Sequence, residues 1–177
     1  MTIKKIAIQM DAIEKIDLEF DTSFLLAKEA QQRGYTVFYY NPVDLEYDNG
    51  VVQASGYFVE LFDQKDAHFK YMSEKKEILN LADMDVVLIR QDPPFDMNYI
   101  SSTYLLEQLP SSTVVLNNPS SIRNAAEKIY PFLLLSFKCK NSHMAQAEQL
   151  ILLRLKDGAK QAIDLIFEQF AKISLNR

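Results

Sequence analysis

The stretch DVVLIRQDPPFD, residues 85–96, decides the fold of this chain. It opens with the continuous apolar run that a central parallel strand, covered on both faces, requires. Asp92-Pro93-Pro94 ends that run, because proline has no N–H for a ladder and pushes the residue before it out of the helical region. Upstream, residues 3–9 read as a short buried strand ending at Met10-Asp11. Asp21-Thr22-Ser23 supplies helix N-cap chemistry, and Ser23, Leu26, Ala27 and Ala30 follow at i, i+3, i+4 and i+7. Gly34 stands where a helix C′ glycine belongs. Residues 35–40 are rich in β-branched and aromatic side chains and make a second strand. Strand, helix and strand at this spacing form a βαβ unit, so a parallel sheet is expected.

Between that unit and the run at 85–90, residues 45–47 and 51–53 flank Asp48-Asn49-Gly50. Asn-Gly tolerates the positive φ values of a type I′ turn, which predicts a hairpin. Residues 57–62 and 67–72 can extend it into a small antiparallel set. Downstream, 98–109 reads as a helix with an untidy apolar face, 113–116 as a short buried strand, and Asn118-Pro119-Ser120 as the entry to a helix over 121–130. Pro131 is the clearest breakpoint. Beyond it, 144–156 and 159–173 read as helices around a turn at Asp157-Gly158, the second carrying a stripe of Ala159, Ile163, Ile166, Phe170 and Ile173. The expected architecture is α/β: a mainly parallel, Rossmann-like sheet with flanking helices and a β-hairpin excursion over residues 1–131. A short, mostly helical tail follows over 132–177.

Composition narrows the function. Nineteen basic against twenty-four acidic residues give a net charge of -5, which argues against nucleic-acid or anionic-membrane binding. One cysteine, Cys139, excludes an intrachain disulfide and a cysteine-based zinc site. Two histidines, His68 and His143, do not make a multi-histidine metal site, so no metal site is expected in this chain. The glycines, Gly34, Gly50, Gly56 and Gly158, are too scattered to write either G-x-G-x-x-G or G-x-x-x-x-G-K-[ST]. The opening MTIKKIAIQMD is too short in its apolar part for a signal peptide, and no apolar run approaches the roughly 20 residues of a membrane helix. A cytoplasmic protein is expected.

Arg90 is the sharpest candidate for chemistry. It sits at the carboxyl end of a presumed parallel strand, where open α/β sheets bind ligands, and a proline-stiffened loop follows it. Its planar fork suits a carboxylate or a phosphate. The competing reading is a structural pair with Asp92 or Asp96. Met10-Asp11 and Asp21-Thr22-Ser23 bracket the first βα loop, also at a carboxyl end; its length suggests ligand contact, and plain capping is the alternative. In NNPSSIRNAAEK, residues 117–128, a capped helix with an Arg123–Glu127 ion pair explains the pattern on its own. His68 and His143 read as solvated surface residues, and Cys139 as an inert thiol.

IAIQMDAIEKID, DTSFLLAKEAQQRGY, the Asp-Asn-Gly hairpin, DVVLIRQDPPFD and VLNNPSSIRNAAEKIYP occur in this order over about residues 3–131. Together they resemble the N-terminal part of bacterial glutathione synthetase, an ATP-grasp ligase. Ala12 departs from that pattern, where proline is usual. The resemblance implies a pre-ATP-grasp domain and a part in the ATP-dependent ligation of γ-glutamylcysteine to glycine through an acyl phosphate. It implies that Arg90 is the active-site arginine facing the glutathione-side substrate. It also implies that Asp11, Ser23 and Asp92 line the cleft and that Lys128 contacts ATP.

After Tyr130 the pattern departs. The family continues into a K-P-L-x-G-x-G-G stretch and a late carboxylate and asparagine group for Mg²⁺, whereas LILLRLKDGAKQAI is a faint echo. Lys156 and Gly158 stand nearest to its lysine and first glycine, but the paired glycines are absent, and a plain helix C-terminal lysine is the competing reading of Lys156. The expected cofactors are therefore none in this chain, with ATP and Mg²⁺ belonging to the complete family enzyme. Three readings follow: half of a split synthetase, inactive until a second polypeptide supplies the ATP-grasp domain; a non-catalytic remnant; or a small anionic-ligand module that forms a homo-oligomer through its helical tail.

Overall fold

Four strands build the parallel part of the sheet: β1 (Lys5–Gln9), β2 (Thr36–Tyr40), β7 (Val86–Ile89) and β8 (Val114–Leu116). Between β2 and β7 the chain adds β3 (Leu45–Asp48), β4 (Val51–Leu61), β5 (Phe69–Tyr71) and β6 (Glu77–Asn80). The computed structural model describes residues 4–18, 21–64 and 67–124. The chain divides into two units, Met1–Ala125 and Ala126–Arg177, and the described residues lie in the first. The expected boundary at Pro131, the helical tail over 132–177, Lys128, Cys139, His143, Lys156 and Gly158 lie outside the described residues.

The sheet order is β3-β4-β2-β1-β7-β8, with β5 and β6 also pairing with β4. β1 runs parallel to both β2 and β7, and β7 runs parallel to β8. The apolar run of residues 85–90 thus sits inside the sheet, with all four residues of β7 buried, as its sequence requires.

Helices cover both faces. α1 (Thr22–Gln32) begins at an Asp21 cap, whose Oδ1 accepts the Ser23 N–H at 2.6 Å and the Phe24 N–H at 3.3 Å. It ends at Gly34, φ +82°, where the Tyr35 N–H reaches Ala30 O and the Gly34 N–H reaches Gln31 O, a Schellman closure. Its buried positions are Ser23, Phe24, Leu26, Ala27 and Ala30, the spacing read from the sequence with Phe24 added. α2 (Met97–Leu106) and α3 (Pro119–Asn124) lie on the opposite face. There Leu106 joins Ala7, Phe38, Tyr40, Val87 and Ile89 in one core, with Tyr99, Leu109 and Ile122 packed against it. The untidy face of α2 has a physical reason: two of its three buried residues are Ser102 and Thr103. Both hydroxyls are satisfied within the helix, on Tyr99 O at 2.8 Å and Ile100 O at 2.6 Å.

The hairpin turns at Asn49 (φ +48°) and Gly50 (φ +86°), the conformation its sequence calls for. Its second strand continues well past residue 53. β4 runs for eleven residues and pairs antiparallel with β3 and β6 in its first half, then with β2 and β5 in its second. Gly56 lies at the crossover between the halves. A Cβ there would stand 2.2 Å from Tyr39 O, 2.8 Å from the Phe38 ring and 2.9 Å from Tyr40 Cβ, so only glycine fits.

Candidate functional site

The chain leaves β1 toward β2 on one side and reaches β7 on the other, so the strand order reverses between β1 and β7. Open α/β sheets bind ligands beyond the carboxyl ends of their strands at such a reversal. Asp11 follows β1 there and Arg90 follows β7. The Arg90 N–H extends the ladder by donating to Gln9 O at 2.7 Å.

The Arg90 side chain reaches the first turn of α1. Its Nε–H donates to Ser23 Oγ at 3.1 Å, and Nη2 donates to Thr22 Oγ1. Ser23 is buried, and the Asp21 cap fixes the turn that carries it. The side-on edge of the guanidinium is therefore occupied by hydroxyls. Among the described residues no acceptor takes the Nη1 donors, so a planar, charged end remains for a carboxylate. Neither carboxylate proposed as its structural partner is engaged by Arg90. Asp96 caps α2, accepting from the Asn98 and Tyr99 N–H groups at 2.9 and 3.0 Å. The Asp92 N–H donates to Asp11 Oδ2 at 2.7 Å, which ties the loop after β7 to the loop after β1.

Asp11, Ser23, Arg90 and Asp92 thus come together, and Lys128 lies outside the described residues. The sequence did not single out Tyr99 on the first turn of α2. Burial raises its phenol above the usual value, Arg90 pulls it back down and Asp92 pushes it up, so it lies within electrostatic reach of both. Its ring packs at 5.0 Å from that of Phe95, which is 44% exposed on the proline loop.

Beneath the site lies a polar network that also escaped the sequence reading. Gln9 is fully buried at the end of β1. The Tyr40 hydroxyl donates to its Oε1 at 3.1 Å, and its Nε2 donates to Gln91 Oε1 and, at 3.5 Å, to Ser102 Oγ. Burial drives the Tyr40 phenol far above its usual value, so it stays a neutral donor. Glutamine inside the run IAIQ was the one available signal, a buried amide that needs partners.

Two further sequence readings change. His68 is half-buried, with its ring between Phe24 and Phe69, and Nε2 lies 2.9 Å from Ile13 O. It pins the first βα loop, and the expectation of a solvated surface histidine does not hold. Arg123 reaches across to α2, donating to Thr103 Oγ1 at 3.2 Å and to Glu107 Oε2, with its guanidinium 4.0 Å from the centre of the Tyr104 ring. Glu127, its expected partner, lies outside the described residues.

A family profile described as the N-terminal domain of prokaryotic glutathione synthetase matches residues 4–123. The chain belongs to the prokaryotic glutathione synthetase family. It is 46% identical over 126 residues to a glutathione synthetase of Mesorhizobium japonicum, covering 71% of this chain and 40% of that one. The Agrobacterium fabrum glutathione synthetase is 45% identical over 128 residues, covering 72% and 40%. That of Salmonella typhimurium is 39% identical over 127 residues, covering 71% and 40%. The chain thus spans about 40% of the length of the curated glutathione synthetases it matches.

Within this glutathione synthetase domain, no group of three or more His, Cys, Asp or Glu side chains among the described residues is placed to hold a metal ion. Gly34 closes a helix, Gly50 a hairpin and Gly56 a strand crossing, so none of them belongs to a phosphate loop. Among the described residues, then, neither a metal cage nor a glycine-rich phosphate cradle is present. No helix among them is long and apolar enough to cross a membrane.

Proposed function

We propose that this domain is the substrate-side half of a glutathione synthetase and holds γ-glutamylcysteine for ATP-dependent ligation to glycine. The observation that carries this reading is the Arg90 guanidinium at the strand reversal, braced on one edge by Thr22 and Ser23 and open on its end. A bidentate carboxylate contact is the chemistry such a fork performs best. Asp11, Ser23 and Asp92 shape the cleft around the substrate, and Asp11 fixes the Asp92 backbone by the bond between their loops. Lys128 supplies a charge to ATP at the end of the domain. ATP and Mg²⁺ belong to the ATP-grasp part of the complete family enzyme, and the reaction takes place in the cytoplasm.

The purified 177-residue chain should therefore show no ligation alone, because the described residues offer neither a phosphate loop nor a metal cage. Product formed from γ-glutamylcysteine, glycine and ATP only after adding an ATP-grasp polypeptide would support the split-enzyme reading. Turnover by the chain alone, after rigorous removal of host synthetase, would refute it. Saturable glutathione binding by a dimeric chain that no partner activates would instead support the ligand-module reading.

A further inference from the structure

A cavity of about 270 Å³ lies beside the carboxyl end of β2, with Glu14 of the first βα loop on its wall. Tyr39, Tyr57 and Tyr71 line it together with Glu14, Asp44 and Lys76. Tyr57 and Tyr71 stack with ring centres 4.1 Å apart. Tyr71 donates its hydroxyl to Glu14 Oε1 at 2.5 Å, leaving the other carboxylate oxygen open. Lys76 is committed: its Nζ reaches both oxygens of Asp44, at 2.7 and 2.6 Å. The lining thus holds one neutralised ion pair, one uncompensated carboxylate and a group of tyrosines. An anion would find no uncommitted cation among the described residues here.

The geometry points to a binding site for a small organic ammonium ion, held by the Glu14 carboxylate and an outer face of the Tyr57–Tyr71 stack. Aromatic faces attract a desolvating cation, and a carboxylate within the same pocket fixes its N–H groups. The sign of the local field agrees. Glu14 pushes the phenols of Tyr39 and Tyr71 upward, adding to burial at both, and Asp44 acts in the same direction on Tyr39. The cavity has room for an alkylamine of a few carbons, and its lack of an uncommitted cation among the described residues disfavours a polyanion such as a nucleotide. None of this depends on the role given to Arg90.

The test is an aromatic NMR titration of the full chain with n-butylammonium chloride, with sodium chloride as the ionic-strength control and sodium acetate as the anion control. Saturable shifts centred on Tyr39, Tyr57 and Tyr71 are expected with butylammonium alone. Glu14→Gln should weaken binding about tenfold while still accepting the Tyr71 hydroxyl bond. Tyr57→Leu should weaken it about threefold to fivefold, and Tyr57→Phe, which keeps the ring, should restore it. Shifts no larger than those in sodium chloride would overturn the inference, as would saturation by acetate. Folded Glu14→Gln and Tyr57→Leu chains that bind as well as the parent would also overturn it. No glutathione precursor is present in the titration, so its failure and the failure of the glutathione synthetase reading are separate results.

Discussion

The parallel half of the sheet and its antiparallel wing solve different problems. In the parallel half, β1, β2 and β7 are covered on both faces, and each strand is a nearly continuous apolar run. Helix caps there set the polar groups that matter: Asp21 fixes the turn carrying Thr22 and Ser23, and Asp96 fixes the turn carrying Tyr99. The wing has only one long strand, β4, and presents Val43, Tyr47, Met72 and Ile78 to solvent. Its shape depends on backbone freedom at Asn49-Gly50 and on the absence of a side chain at Gly56. The Arg90 site therefore sits on over-determined helix termini at the centre of the sheet, whereas the wing rests on single permissive positions. Bonds from β2 and β5 join the two, since Tyr39 and Tyr71 hold the loop at Ile13 and Glu14.

That contrast can be broken most forcefully at Gly56. Gly56→Ala should destabilise the domain by about 3 kcal/mol or more, at or above the upper end of ordinary overpacking, because the nearest obstruction is a backbone oxygen that cannot rotate away. Denaturant unfolding checks this, and a loss below about 1 kcal/mol would mean that the crossover relaxes freely.

The parallel half can be probed through Tyr40. Its folded phenol titrates far above the unfolded value near 10, so its contribution is complete below pH 10 and is lost as pH rises toward the folded value. The unfolded chain then releases a proton that the folded chain keeps. Stability should fall by about 1.4 kcal/mol per pH unit above 10 from this group alone. Tyr40→Phe should cost about 1 kcal/mol at neutral pH, by leaving the buried Gln9 Oε1 without its donor, and should flatten the alkaline slope. An unchanged slope would place the alkaline loss in other tyrosines.

The smallest effect is expected at Ala12, which stands where the family pattern has proline. Its φ is -55°, within the range proline imposes. Ala12→Pro should stabilise the chain by about 0.4–1 kcal/mol by restricting the unfolded ensemble. Thermal melts that show destabilisation would mean that the loop after Asp11 does not follow the family backbone.

Much of the fold was legible because its determinants are local. Apolar runs, the Asp21 cap, Gly34 and Asn49-Gly50 each act within a few residues. β6 was missed because Glu77–Asn80 is largely exposed, so no alternation marks it. The carboxyl-end position of Arg90 and Asp11 was also legible, since topology alone places them at the reversal. Their actual partners were not. Arg90 had two carboxylates nearby in sequence and takes two hydroxyls 67 and 68 positions away. Gln9 meets Gln91 and Ser102 through similarly distant pairings. His68 looked solvated because the rings that enclose it include Phe24, far upstream on α1.

The central claim is that the open end of Arg90 receives a substrate carboxylate, and calorimetric titration of γ-glutamylcysteine into the parent chain and Arg90→Lys tests it most directly. Lysine keeps the charge and loses the planar fork, so affinity should fall about ten- to hundredfold, equivalent to about 1.5–3 kcal/mol. The melting temperature of the variant should drop by only a few degrees, reflecting the lost bonds to Thr22 and Ser23. Equal affinity in both chains, with the variant clearly less stable, would show that Arg90 only braces β7 against α1.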